Sequence, residues 1–297
     1  MRYSDAGAFR QALEQRLKDA AEGDNARLVN ARRRVLFYRL LARMAATAGD
    51  RWLLKGGLAL DLRLPDRARA TRDVDLDWRA PADDLVDALI EVTRHDAGDF
   101  FAFTVERSGT PQDRLGGSHR FRVVASLGGR PFDSFQLDVG LRSRDDAEPE
   151  WLETPDVLAF ADIKPATIAA VTVEVQVAEK FHAYTRTYEG DRQSTRVKDL
   201  VDLALIASLL PLDAGRLWDT LQSTFDTRHT HTAPEVLPEP PDDWRPAFRE
   251  LAGTVGVQTD IAAARTDVAA LLEPILSGAV KDGSWSPDAQ RWVAASG

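Results

Sequence analysis

Asp73, Asp75 and Asp77 occupy every second position of DVDLDW, directly after the arginine-rich stretch DRARATR. On a strand, side chains two apart project from one face, about 6–7 Å from each other. The three carboxylates would share that face, while Val74, Leu76 and Trp78 face the core. Aspartate is a poor strand former, and like charges so close repel and resist burial. Something positive should meet them, unless they form a solvated acidic sheet edge. In QLDVG, Asp138 sits between Leu137 and Val139. A buried bare charge is costly, so Asp138 needs a partner, an arginine or a metal ion. Two carboxylates with a third from a neighbouring strand make a hard oxygen set of the kind that Mg²⁺ or Mn²⁺ takes together with substrate phosphates. Asp73, Asp75 and Asp138 are the candidate metal ligands, and Asp77 is read as peripheral.

Upstream, Gly56-Gly57 stands between the apolar stretch RWLLK and the helical run LALDLRL. Glycine lets backbone approach a ligand closely, and helix N-terminal N–H groups favour anions. A glycine pair is common in turns. Followed about 16 residues later by aspartates two apart, it describes a phosphate cradle near a divalent ion. Lys55, Arg69 and Arg72 could neutralise phosphate from its flanks.

Two later helical runs carry further polar groups. In VEVQVAEKFHAYTRTY (173–188), Val177, Phe181 and Tyr184 form an apolar stripe, and Lys180 lies beside it. Its head could reach from a buried stem toward a cleft, or simply snorkel into solvent. In RVKDLVDLALIASLL (196–210), Arg196, Asp199 and Asp202 are spaced by three along one ridge, which a capping and ion-pair network would also produce. His182 reads as packing or a hydrogen bond.

The elements that must position these groups follow from periodicity. Residues 4–48 read as two helices interrupted by Gly23-Asp24-Asn25. Strands are expected at 51–55, 73–78, FFAFTVER, FRVVASL and RPFDSFQLDVGL, with a helix at about 82–95 and a hairpin turn at Gly128-Gly129. The acidic stretch 142–155 is the expected boundary, and beyond it the pattern turns helical. Residues 233–246 are proline-rich and loop-like, and further helices are expected near 246–253, 257–276 and 287–294. The fold class is therefore α+β. Residues 1–145 hold the N-terminal helices and a mixed sheet with flanking helices, and 146–297 form a mostly helical lobe.

The composition is that of a globular protein, with 44% hydrophobic and 29% charged residues in a 297-residue chain. With no cysteine, disulfides, thiolate metal sites and a cysteine nucleophile are excluded, which fits a reducing cytoplasm. The first twenty residues carry no signal-peptide core, and no run of about 18 apolar residues suggests a membrane span. A net charge of −9 argues against general nucleic-acid coating. Arginines nevertheless crowd at 32, 33, 34, 39 and 43, at 63, 67, 69 and 72, and at 186, 192 and 196. They either pair with nearby acids or bind RNA on one face.

KGGLAL…TRDVDLD resembles the first motif of the nucleotidyltransferase-fold superfamily in its AbiEii-like branch, which includes toxins of abortive-infection and mycobacterial MenT type. QVAEKFHAY (176–184) is similar to the second motif, whose lysine would be Lys180, and RVKDLVDL (196–203) to the third, whose aspartates would be Asp199 and Asp202. The motifs span about residues 50 to 210. Gly56-Gly57 stands where much of the superfamily has Gly-Ser, so backbone N–H groups must replace a serine contact to phosphate. The resemblance implies a nucleotidyltransferase-type core and metal-dependent transfer of NMP from an NTP to an RNA, with the tRNA 3′ end as acceptor. It further implies a toxin neutralised by a cognate antitoxin. By that resemblance Asp73, Asp75 and Asp138 hold the ion and Asp138 helps activate the attacking hydroxyl. Lys180 contacts the triphosphate, and Asp202 with Asp199 orients Lys180 or meets the nucleotide. Two alternatives stay open: a glycosyltransferase using a nucleotide sugar, and a non-catalytic RNA- or protein-binding module. A kinase-like enzyme is disfavoured, because no G-x-G-x-x-G loop occurs.

Overall fold

A computed structural model describes residues 1–108, 118–141, 148–186 and 196–294 of the chain. They fall into two compact units, the first comprising Met1–Leu64 and Ala70–Val171, the second Pro65–Arg69 and Thr172–Gly297. The division lies at Val171/Thr172 instead of 145/146, because two strands beyond the acidic stretch, β6 (Glu150–Glu153) and β7 (Thr167–Ala170), pair into the first unit's sheet. Residues 142–147 of that stretch, and Arg192, lie outside the described residues.

The first unit opens with α1 (Ala6–Ala21) and α2 (Asn25–Thr47). Asp5 caps α1 by accepting from the Ala8 N–H, and Asp24 caps α2 by accepting from Ala26 and Arg27, satisfying donors that a helix start leaves open. Between them Glu22 and Gly23 take positive φ, which ends α1 at the interruption visible in the sequence. Phe9, Leu13 and Leu17 of α1 and Val35, Leu36, Leu40, Leu41 and Met44 of α2 are buried in one core.

That core covers one face of a seven-stranded mixed sheet. Its remaining strands are β1 (Trp52–Lys55), β2 (Asp73–Trp78), β3 (Phe101–Arg107), β4 (Ser118–Leu127) and β5 (Arg130–Leu141). The order is β3-β4-β5-β2-β1-β7-β6. The β2–β5 and β1–β7 pairs are parallel and the others antiparallel. Between β1 and β2 lies α3 (Gly56–Arg63), and between β2 and β3 lies α4 (Asp84–Arg94). Gly128 and Gly129, both at positive φ, turn β4 into β5, the backbone a two-residue hairpin requires.

The second unit is helical: α5 (Val173–Thr185), α6 (Val197–Leu209), α7 (Ala214–Arg228), α8 (Arg245–Val255) and α9 (Ile261–Leu276). The helix expected near 287–294 is not formed. A short hairpin, β8 (Ser284–Ser286) with β9 (Arg291–Val293), stands there, its register setting Trp285 opposite Trp292. Both indoles donate to helix carbonyls, Trp285 to Ala207 and Trp292 to Leu271.

Two arginines of the first cluster do not face solvent. Arg39 and Arg43 are 6% and 1% exposed and converge on Asp99, itself fully buried. Arg39 Nε lies 2.6 Å from Asp99 Oδ2, and Arg43 bonds both carboxylate oxygens at 2.9 and 2.6 Å. Burial alone would raise the Asp99 pKa, but hydrogen bonds and charge from Arg43 and Arg39 outweigh it and hold the carboxyl below its usual range. Arg34 pairs with Asp61 at 2.5 Å, Arg32 with Glu14, and Arg63 with Glu150 at 2.6 Å. These arginines tie elements of the first unit together.

Asp99→Ala should cost about 3–5 kcal/mol, because two buried guanidinium groups lose their counter-ion; urea unfolding measures it. Since the native Asp99 pKa lies below its unfolded value of 3.8, the cluster's contribution is present above that pH and is lost as pH falls through the native value.

Candidate active site

Strand register gathers the carboxylates. Within β2, Val74, Leu76 and Trp78 are at most 1% exposed, which turns Asp73, Asp75 and Asp77 to the opposite face. Residues directly opposed on paired strands share a face, and four charged residues are opposed in one row. Lys55 on β1 stands beside Asp75, Asp75 beside Asp138 on β5, and Asp138 beside Arg120 on β4. Adjacent strands lie about 4.8 Å apart, so Asp75 and Asp138 are neighbours, and Asp73 lies on the same face two residues back along β2.

The cation that meets Asp138 is Arg120, a residue the sequence analysis did not single out. Its Nε and Nη2 donate to Asp138 Oδ1 and Oδ2 at 2.7 and 2.8 Å, the two-pronged geometry that suits guanidinium and carboxylate. The Arg120 pKa is raised, first by the hydrogen bond it donates to Asp138 and by the charge of that carboxylate, with Asp73 and Asp75 adding to the pull. The two aspartates thus act electrostatically on the same guanidinium.

Lys55 and Asp77 form a second ion pair, Nζ to Oδ1, at 2.5 Å. Asp77 is 2% exposed, so it is an inner partner of Lys55 where the sequence suggested a peripheral group. Gly140, opposite Asp77 on β5, makes room for this pair. A Cβ at 140 would lie 2.9 Å from Asp77 Oδ1 and 3.3 Å from Lys55 Nζ. Gly56 is constrained twice over. Its φ is +68°, and a Cβ would fall inside the Asp75 carboxylate. The first glycine of the pair thus brings backbone directly against Asp75. Gly57 is buried and Arg72 is exposed.

Among the described residues no three histidine, cysteine or acidic side chains are gathered closely enough to hold a metal ion. The donor set nonetheless suits one in kind. Asp73 and Asp75 offer carboxylate oxygens from one strand, Asp138 offers a third pair from the adjacent strand, and backbone without a side chain abuts Asp75 at Gly56. Hard oxygen donors of this type are what Mg²⁺ and Mn²⁺ take.

The second unit holds its own polar cluster. Lys180 on α5 is 7% exposed, with Nζ 2.5 Å from Asp202 and 3.8 Å from Asp199, both on α6. Arg69 bonds both Asp202 oxygens at 3.0 Å. Burial would raise the Asp202 pKa, but Lys180 and Arg69 reverse that and hold it low. At Asp199 burial wins over the attraction of Lys180 and Arg196, and the pKa is raised. Asp199 Oδ2 lies 3.8 Å from Arg196 Nη1 and finds no hydrogen bond among the described residues. The helical ridge of Asp199 and Asp202 is therefore turned inward onto Lys180.

His182, two residues beyond Lys180 on α5, is 4% exposed and hydrogen-bonds Thr230 at 2.7 Å. His231 bonds Thr185 at 2.7 Å, and its ring lies tilted by 39° against that of His182, with centroids 4.8 Å apart. Burial first, then the charges of His231, Arg228 and Arg186, push the His182 pKa down to about 4.

The fold is that of a nucleotidyltransferase. It is similar to MenT4, a nucleotidyltransferase toxin from Mycobacterium tuberculosis H37Rv, with a TM-score of 0.59 at 19% identity over 89% of each chain. A putative nucleotidyltransferase from H. pylori (18% identity, TM-score 0.44, 83% of this chain and 95% of that one) is also similar. So is JHP933 from Helicobacter pylori (16%, 0.43, 82% and 92%). No curated protein matches. Residues 39–273 match the family described as nucleotidyl transferase AbiEii toxin of type IV toxin–antitoxin systems, and the chain belongs to that family. Membership favours nucleotidyl transfer over sugar transfer. No helix among the described residues is long and apolar enough to cross a membrane.

Between the unfolded His182 pKa of 6.5 and the native value of about 4, the unfolded chain binds more protons. Stability should therefore fall as pH drops through this window. Melting temperatures from pH 7 to 4 check this, and His182→Gln should make the decline shallower.

Proposed function

We propose that the protein transfers a nucleoside monophosphate from an NTP to the 3′-hydroxyl of an RNA, with tRNA as acceptor, in a divalent-metal-dependent reaction. It would act in the cytoplasm, as a toxin held in check by a cognate antitoxin. The observation that carries this reading is the β2–β5 register, which sets Asp75 beside Asp138 on the face that also bears Asp73.

Asp73 and Asp75 would hold Mg²⁺ or Mn²⁺, with Asp138 completing the oxygen set. Once bound, the cation offsets negative charge developing on the phosphates during in-line displacement. The chain's own groups do the rest. Gly56 offers backbone without a side chain beside Asp75, and Gly57 continues that backbone into α3, where a phosphate can come close. Asp138 takes the proton from the attacking 3′-hydroxyl as its oxygen bonds the α-phosphorus. The bond from the α-phosphorus to the bridging oxygen breaks, and pyrophosphate leaves. Lys55, held by Asp77, lends positive charge to the same face of the sheet.

Lys180 would contact the triphosphate and offset charge on the departing pyrophosphate. Asp202, anionic and bonded to both Lys180 and Arg69, supports a positioning role for that aspartate. Asp199, with one oxygen lacking a hydrogen bond among the described residues, is suited to meet a hydroxyl or amino group of the nucleotide. Arg72, exposed just ahead of β2, is suited to the phosphate backbone. Arg39 and Arg43 are removed from any RNA-binding role by their burial.

Incubation with each labelled NTP, Mg²⁺ and total tRNA should move label into RNA from one or two of the four NTPs. Asp75→Asn should cut this transfer by about a hundredfold or more, since a metal site supplies several kcal/mol of charge stabilisation. Full activity in Asp75→Asn would refute the metal assignment. Label entering protein and not RNA would refute the acceptor.

A further inference from the structure

The row Lys55–Asp75–Asp138–Arg120 has a cation at each end, but the two ends differ. The Lys55–Asp77 bridge is enclosed, with side chains 16% and 2% exposed. The Arg120–Asp138 bridge is open, with side chains 54% and 27% exposed. Half-exposed ion pairs hold weakly, because water competes for both partners and screens the attraction. Arg120 nevertheless covers both oxygens of Asp138. In this state the third carboxylate is spoken for, and no three-ligand group exists among the described residues. Other charged groups on this sheet face include Asp73 and Asp75 on β2, Arg122, exposed on β4 opposite Gln136, and Glu106, exposed on β3 opposite Arg122.

A guanidinium fork binds phosphate in the same two-pronged way as carboxylate. We propose that Arg120 is an exchangeable counter-ion: it occupies Asp138 in the resting protein, then releases it and pairs with phosphate oxygens of the incoming NTP. The proposal rests on the reading that Asp73, Asp75 and Asp138 form the cation site. Its consequence is that a cation alone must displace Arg120 with no compensating contact, whereas cation and nucleotide together give Arg120 a new partner. Cation and nucleotide therefore favour each other's binding, and each strengthens the other by the same factor. Arg120 would make the site ready for the metal–nucleotide complex and poorly receptive to the free ion.

The test is a titration of the full chain with Mn²⁺ alone, followed by the EPR signal of free Mn²⁺. It is repeated with the non-hydrolysable α,β-methylene analogues of the four NTPs. Arg120→Gln removes the competing charge at a half-exposed position and should bind Mn²⁺ alone about fivefold more tightly, the upper end of what such a pair holds. The same variant should bind the preferred analogue with Mn²⁺ about tenfold more weakly, having lost a charged hydrogen-bond donor to phosphate. An Arg120→Gln affinity for Mn²⁺ equal to or below that of the wild type overturns the proposal, and so does undiminished analogue binding. Asp75→Asn separates the two levels. If it keeps wild-type Mn²⁺ affinity, the cation-site reading itself falls. If it loses Mn²⁺ while Arg120→Gln matches the wild type, the counter-ion proposal alone falls.

Discussion

Carboxylates that repel one another stand side by side on β2 and β5, and the apolar face behind them is what keeps them there. Val74, Leu76 and Trp78 on β2 and Leu137 and Val139 on β5 are all essentially buried. A slip of one residue would carry the three side chains of β2, or the two of β5, out of the core and drive aspartate into it. The hydrophobic term thereby fixes a register that electrostatics alone would oppose. Asp75 and Asp138 remain register partners because their neighbours in sequence have no other place to go.

The repulsion that remains is answered locally. Lys55 enters from β1 and bonds Asp77, Arg120 enters from β4 and bonds Asp138, and glycines at 56 and 140 clear the volume these groups need. Asp73 and Asp75 lie between these bridges on a part-exposed strand face. A doubly charged ion with a nucleotide's phosphates suits such a face, since it brings positive charge to the carboxylates and negative charge to Lys55 and Arg120 together. The second unit answers the same problem differently. Lys180 and Arg69 surround Asp202 almost completely, and Asp199 absorbs its burial as a raised pKa.

Much of this architecture was legible in residue order. Strict alternation in DVDLDW marks β2 at its observed bounds, and the Gly-Gly pair marks the start of α3. The need of Asp138 for a partner followed from its apolar neighbours. The identity of that partner did not. FRVVASL signals a strand from 121, but β4 begins at Ser118, where the sequence has no apolar alternation. The β4–β5 ladder also shifts register between Ala125 and Ser126, so which β4 residue opposes Asp138 cannot be counted back from the hairpin. Pairing across strands also explains why β6 and β7 were missed, since four-residue strands carry too few positions to show a period. The 287–294 segment has helix-forming residues, yet it forms β9, from which the Trp292 indole donates to the Leu271 carbonyl. Arg39 and Arg43 looked like surface charge because Asp99, their counter-ion, is more than fifty positions away.

The most direct test is to locate the ion. Crystals of the chain grown with Mn²⁺ and an α,β-methylene NTP, measured at the manganese absorption edge, would reveal it by anomalous scattering. The account predicts a peak bonded to carboxylate oxygens of Asp73 and Asp75, with the analogue's phosphates reaching the same peak. A nucleotide and manganese ordered at some other place, with neither aspartate in contact, would contradict it.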